Sequence, residues 1–308
     1  MAAAVAAELT QRYGTRVRCA VPLATLTTFG IGGPAELLFA ATTAAELTDA
    51  VMVARRAGMP VLVLGGGSNV LADDAGWRGL VVLDRTSGLA FAGTTVTAVS
   101  GTATARLALA TARAGLAGLE FAGGICGTVG GAVRGNAGAY GRGIGDALVR
   151  ATLLLPDGTT ATVGRDWFGF AYRHSRLADE PATLLLDATW ELAAGDAAAL
   201  QQVIIDDRAR RLEQHPYGFG CAGSFFRNLP PLPGGERKRA AGELLDRAGA
   251  KGQRAGGAEI FRGHANFIIN TGGATAADVK ELAQRAQRLV RDLCGENLHP
   301  EVQFLGAQ

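Results

Sequence analysis

Two glycine-dense runs about sixty residues apart limit what this chain can fold into more than any other feature: Gly65-Gly66-Gly67-Ser68-Asn69 and Gly123-Gly124-Ile125-Cys126-Gly127-Thr128-Val129-Gly130-Gly131-Ala132. The first follows the compact apolar segment Val61–Leu64, and the second leads into Asn136-Ala137-Gly138-Ala139-Tyr140. Glycine loses more conformational freedom on folding than any other residue, so clustering it needs a reason. Backbone amides closing around a phosphate supply one, because a Cβ would block the approach. Two such turns point to a pyrophosphate held between them, hence a dinucleotide-type cofactor. The competing reading is a pair of ordinary turns in a chain with 44 glycines. Neither run is a standard fingerprint. Val70 stands where G-x-G-x-x-G needs its third glycine, and G-x-x-x-x-G-K-[ST] is absent.

With 308 residues the chain can bury two or three cores. Hydrophobic residues at 48% and charged residues at 19% mark it as globular. A net charge of +2, with both signs interspersed, gives no nucleic-acid or anionic-membrane footprint. Met1 to Ala7 lacks a basic stretch and reads as the start of a helix rather than a signal peptide. No apolar stretch approaches a membrane span. Cys19, Cys126, Cys221 and Cys294 lack C-x-x-C spacing, and His174, His215, His264 and His299 lack ligand spacing. Neither a metal nor a disulfide framework is therefore expected, and the expected setting is a reduced cytoplasm. Cys126 reads as a small buried thiol.

Strands are expected at Glu36–Phe39, Val61–Leu64, Leu80–Leu83, Phe91–Ser100 and Thr183–Leu192, with a hairpin at 147–163 turning on Pro156-Asp157-Gly158. Helices are expected at 43–58, 103–114, 197–214 (Asp and Arg on its wet face) and 237–248. His215 to Gly220 reads as a linker. Beyond it, Glu259–Asn270 is strand and turn, and Glu301–Gly306 is a last strand. The clearest helix follows Thr275, which makes a capping box with Asp278, and its stripe of Val279, Leu282, Ala286, Leu289, Val290 and Leu293 is core packing.

Seven segments, in order and nearly end to end, resemble the UDP-N-acetylenolpyruvoylglucosamine reductase family. They are Thr27–Gly33, Leu64–Leu71, Gly127–Tyr140, Tyr172–Ser175, Ala222–Asn228, His264–Asn270 and Pro300–Val302. The resemblance implies an α+β, FAD-binding fold of the vanillyl-alcohol-oxidase type. Two FAD subdomains, 1–75 (joined by 299–308) and 76–212, would accompany an α+β substrate domain at 213–298. It implies NADPH-dependent reduction of an enolpyruvyl sugar nucleotide through FAD in peptidoglycan precursor synthesis, by a monomer whose partners are small molecules. Here Cys126 stands where the family commonly has proline, and Arg227 where lysine is more frequent. The chain resembles the shorter type that lacks a tyrosine-bearing insertion.

Residue by residue, the resemblance makes Ser224 the proton donor, Arg173 the partner of the substrate carboxylate, and Glu301 the third catalytic group, expected to support Arg173 and polarise the enol. A carboxylate beside the forming enolate is repulsive unless protonated or paired with arginine, so a raised pKa is expected there. Gly65, Gly66, Gly67, Ser68, Asn69, Gly123, Gly127, Thr128, Gly130, Gly131, Ala132, Asn136 and Gly138 would hold FAD. Tyr140, Arg227, Asn228, His264 and Asn266 would line the substrate site. Taken singly, these residues have plainer readings: a turn-capping Ser224, a solvated Arg173 near Asp179 or Glu180, an edge carboxylate at Glu301, a core His264. Two other functions use similar parts, an oxidase on the same scaffold and a nucleotide-binding protein without catalysis.

Overall fold

The computed structural model describes residues 1–232, 234–235 and 238–306. The chain forms two compact units, each assembled from three stretches of sequence. One comprises Met1–Cys19, Leu37–Gly66 and Gly79–Arg211; the other comprises Ala20–Glu36, Gly67–Arg78 and the chain from Leu212 onward. The boundary passes through the first glycine run.

The first unit holds two apolar cores. In one, the helices Ala2–Tyr13 and Ala44–Arg56 pack residues such as Leu9 and Val51 against Phe39 and Val82, the latter from the parallel pair formed by 61–64 and 80–83. Val61–Leu64 runs parallel to Leu80–Leu83, so the first glycine run leaves the carboxyl end of a half-buried strand. In the other core, a five-stranded antiparallel sheet is ordered Thr160–Gly164, Leu148–Leu154, Leu184–Glu191, Thr95–Val99 and Leu89–Ala92. The helices Thr104–Arg113 and Val129–Arg134 contribute Leu107, Ala108, Val129 and Val133 to it.

The second unit has one core around the helix Ala276–Cys294, the helix Ala241–Arg247 and the sheet Arg254–Ala255, Ala258–Ile260, Ile268–Asn270. Thr275 and Asp278 form the expected reciprocal capping box. The carboxylate of Asp74 adds a second cap, accepting from the amides of Ala276 (2.8 Å) and Ala277 (3.1 Å). Gln303–Leu305 pairs in parallel with Val70–Ala72, tying the end of the chain to the segment after the first glycine run.

The helix Ala197–Gln214, the Asp157 hairpin and the strand Leu184–Glu191 form where the pattern placed them. Four local expectations change. Phe91–Ser100 is not one strand: Gly93, at φ +59°, turns the chain, and 89–99 is a hairpin. The helix expected from Arg237 begins at Ala241, because Arg239 is drawn into a bridge with Leu229; Arg237 itself lies outside the described residues. Asp207 leaves the wet face of its helix and is 3% exposed, satisfied by the guanidinium of Arg210. Leu293, the last member of the apolar stripe, is exposed near the helix end.

Glu46 opens the helix Ala44–Arg56 and receives both arms of Arg16, at 2.7 and 3.1 Å, plus the Thr42 amide at 2.8 Å. The Arg16 hydrogen bonds chiefly pull its carboxyl down to about 2 from 4.5. Its contribution to stability is therefore complete above pH 4.5 and is lost as pH falls toward 2. Glu46→Gln should flatten the stability-against-pH curve in that window, measured by denaturant unfolding at each pH. Parallel curves for the two proteins would refute the role given to Arg16.

Candidate active site

In the first unit the two glycine runs touch. A Cβ on Gly66 would lie 3.0 Å from the Gly127 Cα, and one on Gly65 would overlap the Thr128 hydroxyl. The glycines are thus required by the meeting of two main chains, whatever is bound nearby. Gly131 differs, since a Cβ there would meet only Thr128 Oγ1, at 4.0 Å, and the turn is open on that side. That bare, open backbone fits a ligand that must lie against main chain. Not every amide of the turn faces outward: Val129 N–H donates to Thr102 (2.9 Å) and Gly130 N–H to Ser100 (2.7 Å). Gly123 packs on Ile204, and the Gly124 carbonyl accepts from Arg211 Nη1 at 3.0 Å. Ala132 is buried in the short helix that follows. Cys126 is exposed, not buried, in a loop whose neighbours Ile125 and Gly127 are themselves only half-buried.

Arg173 sits in a tight turn in which Ala171 and His174 pair main chain to main chain, at 3.1 and 3.2 Å. Its φ is +55°, an uncommon conformation for a residue with a side chain. The half-buried guanidinium donates to the Gly138 carbonyl at 2.8 Å and lies 5.6 Å from the Tyr172 ring centre. Asp179 and Glu180, the acidic partners suggested by the sequence, are engaged by His174 and Arg176 instead. Asn136 donates to the Ala171 carbonyl (2.8 Å) and accepts from the Gly145 amide (3.1 Å). The fold thus gathers Arg173, Asn136 and Gly138 into one cluster. Tyr140 is exposed, at φ +54°, with Arg210 5.3 Å from its ring centre.

In the second unit the segment carrying Ser224 lies antiparallel to the one carrying Glu301. Glu301 N–H donates to the Phe225 carbonyl (2.8 Å), Arg227 N–H to His299 (2.9 Å), and Phe226 pairs with Pro300. Asn69 donates from its carboxamide to the Glu301 carbonyl at 3.2 Å, and its backbone carbonyl accepts from Gln303 N–H at 3.0 Å. Ser224, Glu301 and the tail of the first glycine run are therefore neighbours along main chain. Gly67, at φ +61°, is pressed against the Leu26 carbonyl, and its own carbonyl accepts from Thr28 N–H at 3.0 Å. Thr28 was not singled out from the sequence, although it lies in a matched segment; its hydroxyl also reaches the Cys221 carbonyl at 2.7 Å.

Asn266, 4% exposed, uses both ends of its carboxamide on Phe226, accepting from N–H and donating to C=O at 2.9 Å each. Its backbone carbonyl takes the Phe225 N–H at 2.7 Å. His264 accepts the Asn266 N–H on Nδ1 at 3.1 Å, and burial pushes its pKa down, which keeps that nitrogen an acceptor. Asn228 accepts from the first amide of the helix Ala241–Arg247 at 3.1 Å. These three residues brace the Ser224 segment.

Residues 35–164 match the family model described as "FAD binding domain", so the α+β fold with its paired glycine turns belongs to a flavoprotein, an FAD-dependent oxidoreductase. Residues 215–305 match "UDP-N-acetylenolpyruvoylglucosamine reductase, C-terminal domain". The chain is 38% identical over 304 residues to the UDP-N-acetylenolpyruvoylglucosamine reductase of Bacillus subtilis, covering 97% of both chains. It is 40% identical over 287 residues to that of Rubrobacter xylanophilus, covering 92% of this chain and 94% of the other. The crystal structure of the reductase from Thermus caldophilus superposes with a TM-score of 0.77 at 33% identity, over 94% of this chain and 99% of that one. The chain belongs to the UDP-N-acetylenolpyruvoylglucosamine reductase family. Among the described residues no helix is long and apolar enough to cross a membrane.

Two outcomes test this geometry. Gly66→Val should force the glycine turns apart and leave the purified protein depleted of FAD, read from flavin absorbance; full occupancy would contradict the contact with Gly127. Asn266→Ala should strand two buried backbone groups of Phe226 and cost roughly 1–3 kcal/mol in denaturant unfolding. Unchanged stability would mean that the Ser224 segment is held otherwise.

Proposed function

We propose that the chain reduces the enolpyruvyl ether of UDP-N-acetylglucosamine enolpyruvate to the lactyl ether of UDP-N-acetylmuramate, with NADPH as electron donor, in peptidoglycan precursor synthesis. The chemistry that FAD supplies when bound is hydride transfer, drawn from NADPH and delivered to the methylene carbon of the enolpyruvyl group. The residues must then manage what hydride addition creates, an enolate at the α-carbon and its carboxylate, and a demand for one proton.

In this reading Arg173 receives the substrate carboxylate, where a planar guanidinium can meet both oxygens and oppose the growing charge. Ser224 gives its hydroxyl proton to the α-carbon, the step that completes addition of hydride and proton across the double bond. Glu301 polarises the enol. A carboxylate beside an enolate is repulsive unless it is protonated or paired, so its carboxyl works in the protonated form or against an arginine. Tyr140, Arg227, Asn228 and His264 belong to the side of the site that takes the sugar nucleotide. Asn266, whose carboxamide is spent on Phe226, serves it by holding Ser224 in place. The residues of the two glycine runs, with Asn136 and Gly138, hold the FAD.

The observation that most supports this reading is the hydrogen bond from Glu301 N–H to the Phe225 carbonyl. Through it the segments that carry a hydroxyl and a carboxyl, 77 residues apart in the chain, run side by side. The experiment follows the flavin spectrum, bleached by NADPH and restored by the enolpyruvyl sugar nucleotide. Ser224→Ala should bleach at close to the normal rate but recover colour about 10²- to 10⁴-fold more slowly. An equal fall in both half-reactions would remove Ser224 from proton delivery, and a purified protein without flavin absorbance would defeat the whole reading.

A further inference from the structure

Asp84 ends the buried strand Trp77–Asp84 and is itself 4% exposed, yet no step described above uses it. Its Oδ2 accepts from Ser100 Oγ at 2.6 Å, and its Oδ1 accepts from Thr86 Oγ1 at 2.6 Å and Thr86 N–H at 3.0 Å. Removing a carboxylate from water is costly, and packing alone would be served as well by a neutral side chain. What a carboxylate adds is hydrogen-bond acceptance at both oxygens: here each takes a hydroxyl, Ser100 on one and Thr86 on the other. Thr86 Oγ1 is then turned to accept the Gly101 N–H at 3.0 Å, and Gly101 has no Cβ to collide with Asp84.

The turn fixed in this way is the one that holds the second glycine run. Ser100 C=O takes the Gly130 N–H (2.7 Å), Thr102 C=O takes the Val129 N–H (2.9 Å), and Thr104 N–H meets the Gly127 carbonyl (3.1 Å). The next residue along the chain faces the other run, as Arg85 Nη1 donates to the Gly65 carbonyl at 3.1 Å. Consecutive residues at one strand end thus reach both glycine turns, one through a buried relay and one directly.

We propose that Asp84 and Arg85 form a bracket that sets the spacing of the two glycine turns for FAD, with Asp84 acting as a positioning residue through Ser100. The proposal rests on FAD binding and not on the substrate or the proton donor. A wild-type protein purified without flavin would sink that premise, whereas the variants below address the bracket alone.

The test is the rate of flavin release from diluted holoprotein, followed by recovery of flavin fluorescence, alongside thermal unfolding of the same samples by circular dichroism. Ser100→Ala and Asp84→Asn should each release FAD about tenfold faster, and the double variant no faster than the quicker single, because both break one relay. Arg85→Gln should speed release severalfold with an unchanged unfolding midpoint. Wild-type release rates in folded Ser100→Ala and Arg85→Gln overturn the proposal even if Asp84→Asn does not fold. Lower unfolding midpoints with normal release rates overturn it too, since they would make the network packing and nothing more.

Discussion

Gly66 lies so close to Gly127 that a Cβ on it would come within 3.0 Å of the Gly127 Cα, and this meeting of two main chains is the constraint on which the glycine turns depend. The rest of the first unit is arranged to allow it. A parallel strand delivers the first run, and the turn at Ser100–Thr104 grips the second by three backbone hydrogen bonds. The grip consumes amides that a phosphate-binding picture would reserve for the ligand. Some glycines in these runs therefore serve protein–protein contact within the unit, and others, such as Gly131, leave the open surface. Both demands select the same residue type, which is why the runs are so long.

The second unit solves a different problem with the same material. Ser224 and Glu301 are 77 residues apart in the chain, and what brings their segments together is backbone pairing, not attraction between their side chains. Main-chain pairing limits how far either the hydroxyl or the carboxyl can wander. Asn266 extends that logic by standing in for a missing strand, presenting one donor and one acceptor to Phe226 as a neighbouring backbone would. A buried carboxamide suits the purpose because it carries no charge to compensate. His264, neutral through burial, backs it by accepting the Asn266 amide.

Features set by local chemistry were readable from the chain: the capping box at Thr275, the Asp157 turn, the limits of the helix Ala197–Gln214 and the order of the motif segments. Features set by partners distant in sequence were not. Asp207 reads as one more acid on a polar helix face, and only the packed structure shows it buried beneath Arg210. Asp84 lies just past the strand expected at Leu80–Leu83, and nothing in the pattern reveals that Ser100 and Thr86 converge on it. The alternation through Phe91–Ser100 concealed a hairpin, since Gly93 interrupts the pattern by only one residue. Likewise the glycines announced a close approach of backbone without saying that its partner was another glycine turn.

Backbone strain adds an argument that composition could not supply. Among the described residues only Ala20, Asn136, Tyr140 and Arg173 have positive φ without being glycine. Three of these four lie in the loops that carry the first unit's candidate residues. Each such conformation costs about 1–3 kcal/mol and persists only where its surroundings over-determine it. Around Arg173 the determinants are visible: the paired amides of Ala171 and His174, the Asn136 carboxamide on Ala171, and the Ser175 hydroxyl on the Arg134 carbonyl at 2.8 Å. Glycine at position 173 would relieve the strain at once. A chain that uses 44 glycines elsewhere but keeps arginine here holds a guanidinium at this turn against the conformational preference of its own backbone, and the chemistry of that side chain is what the strain sustains.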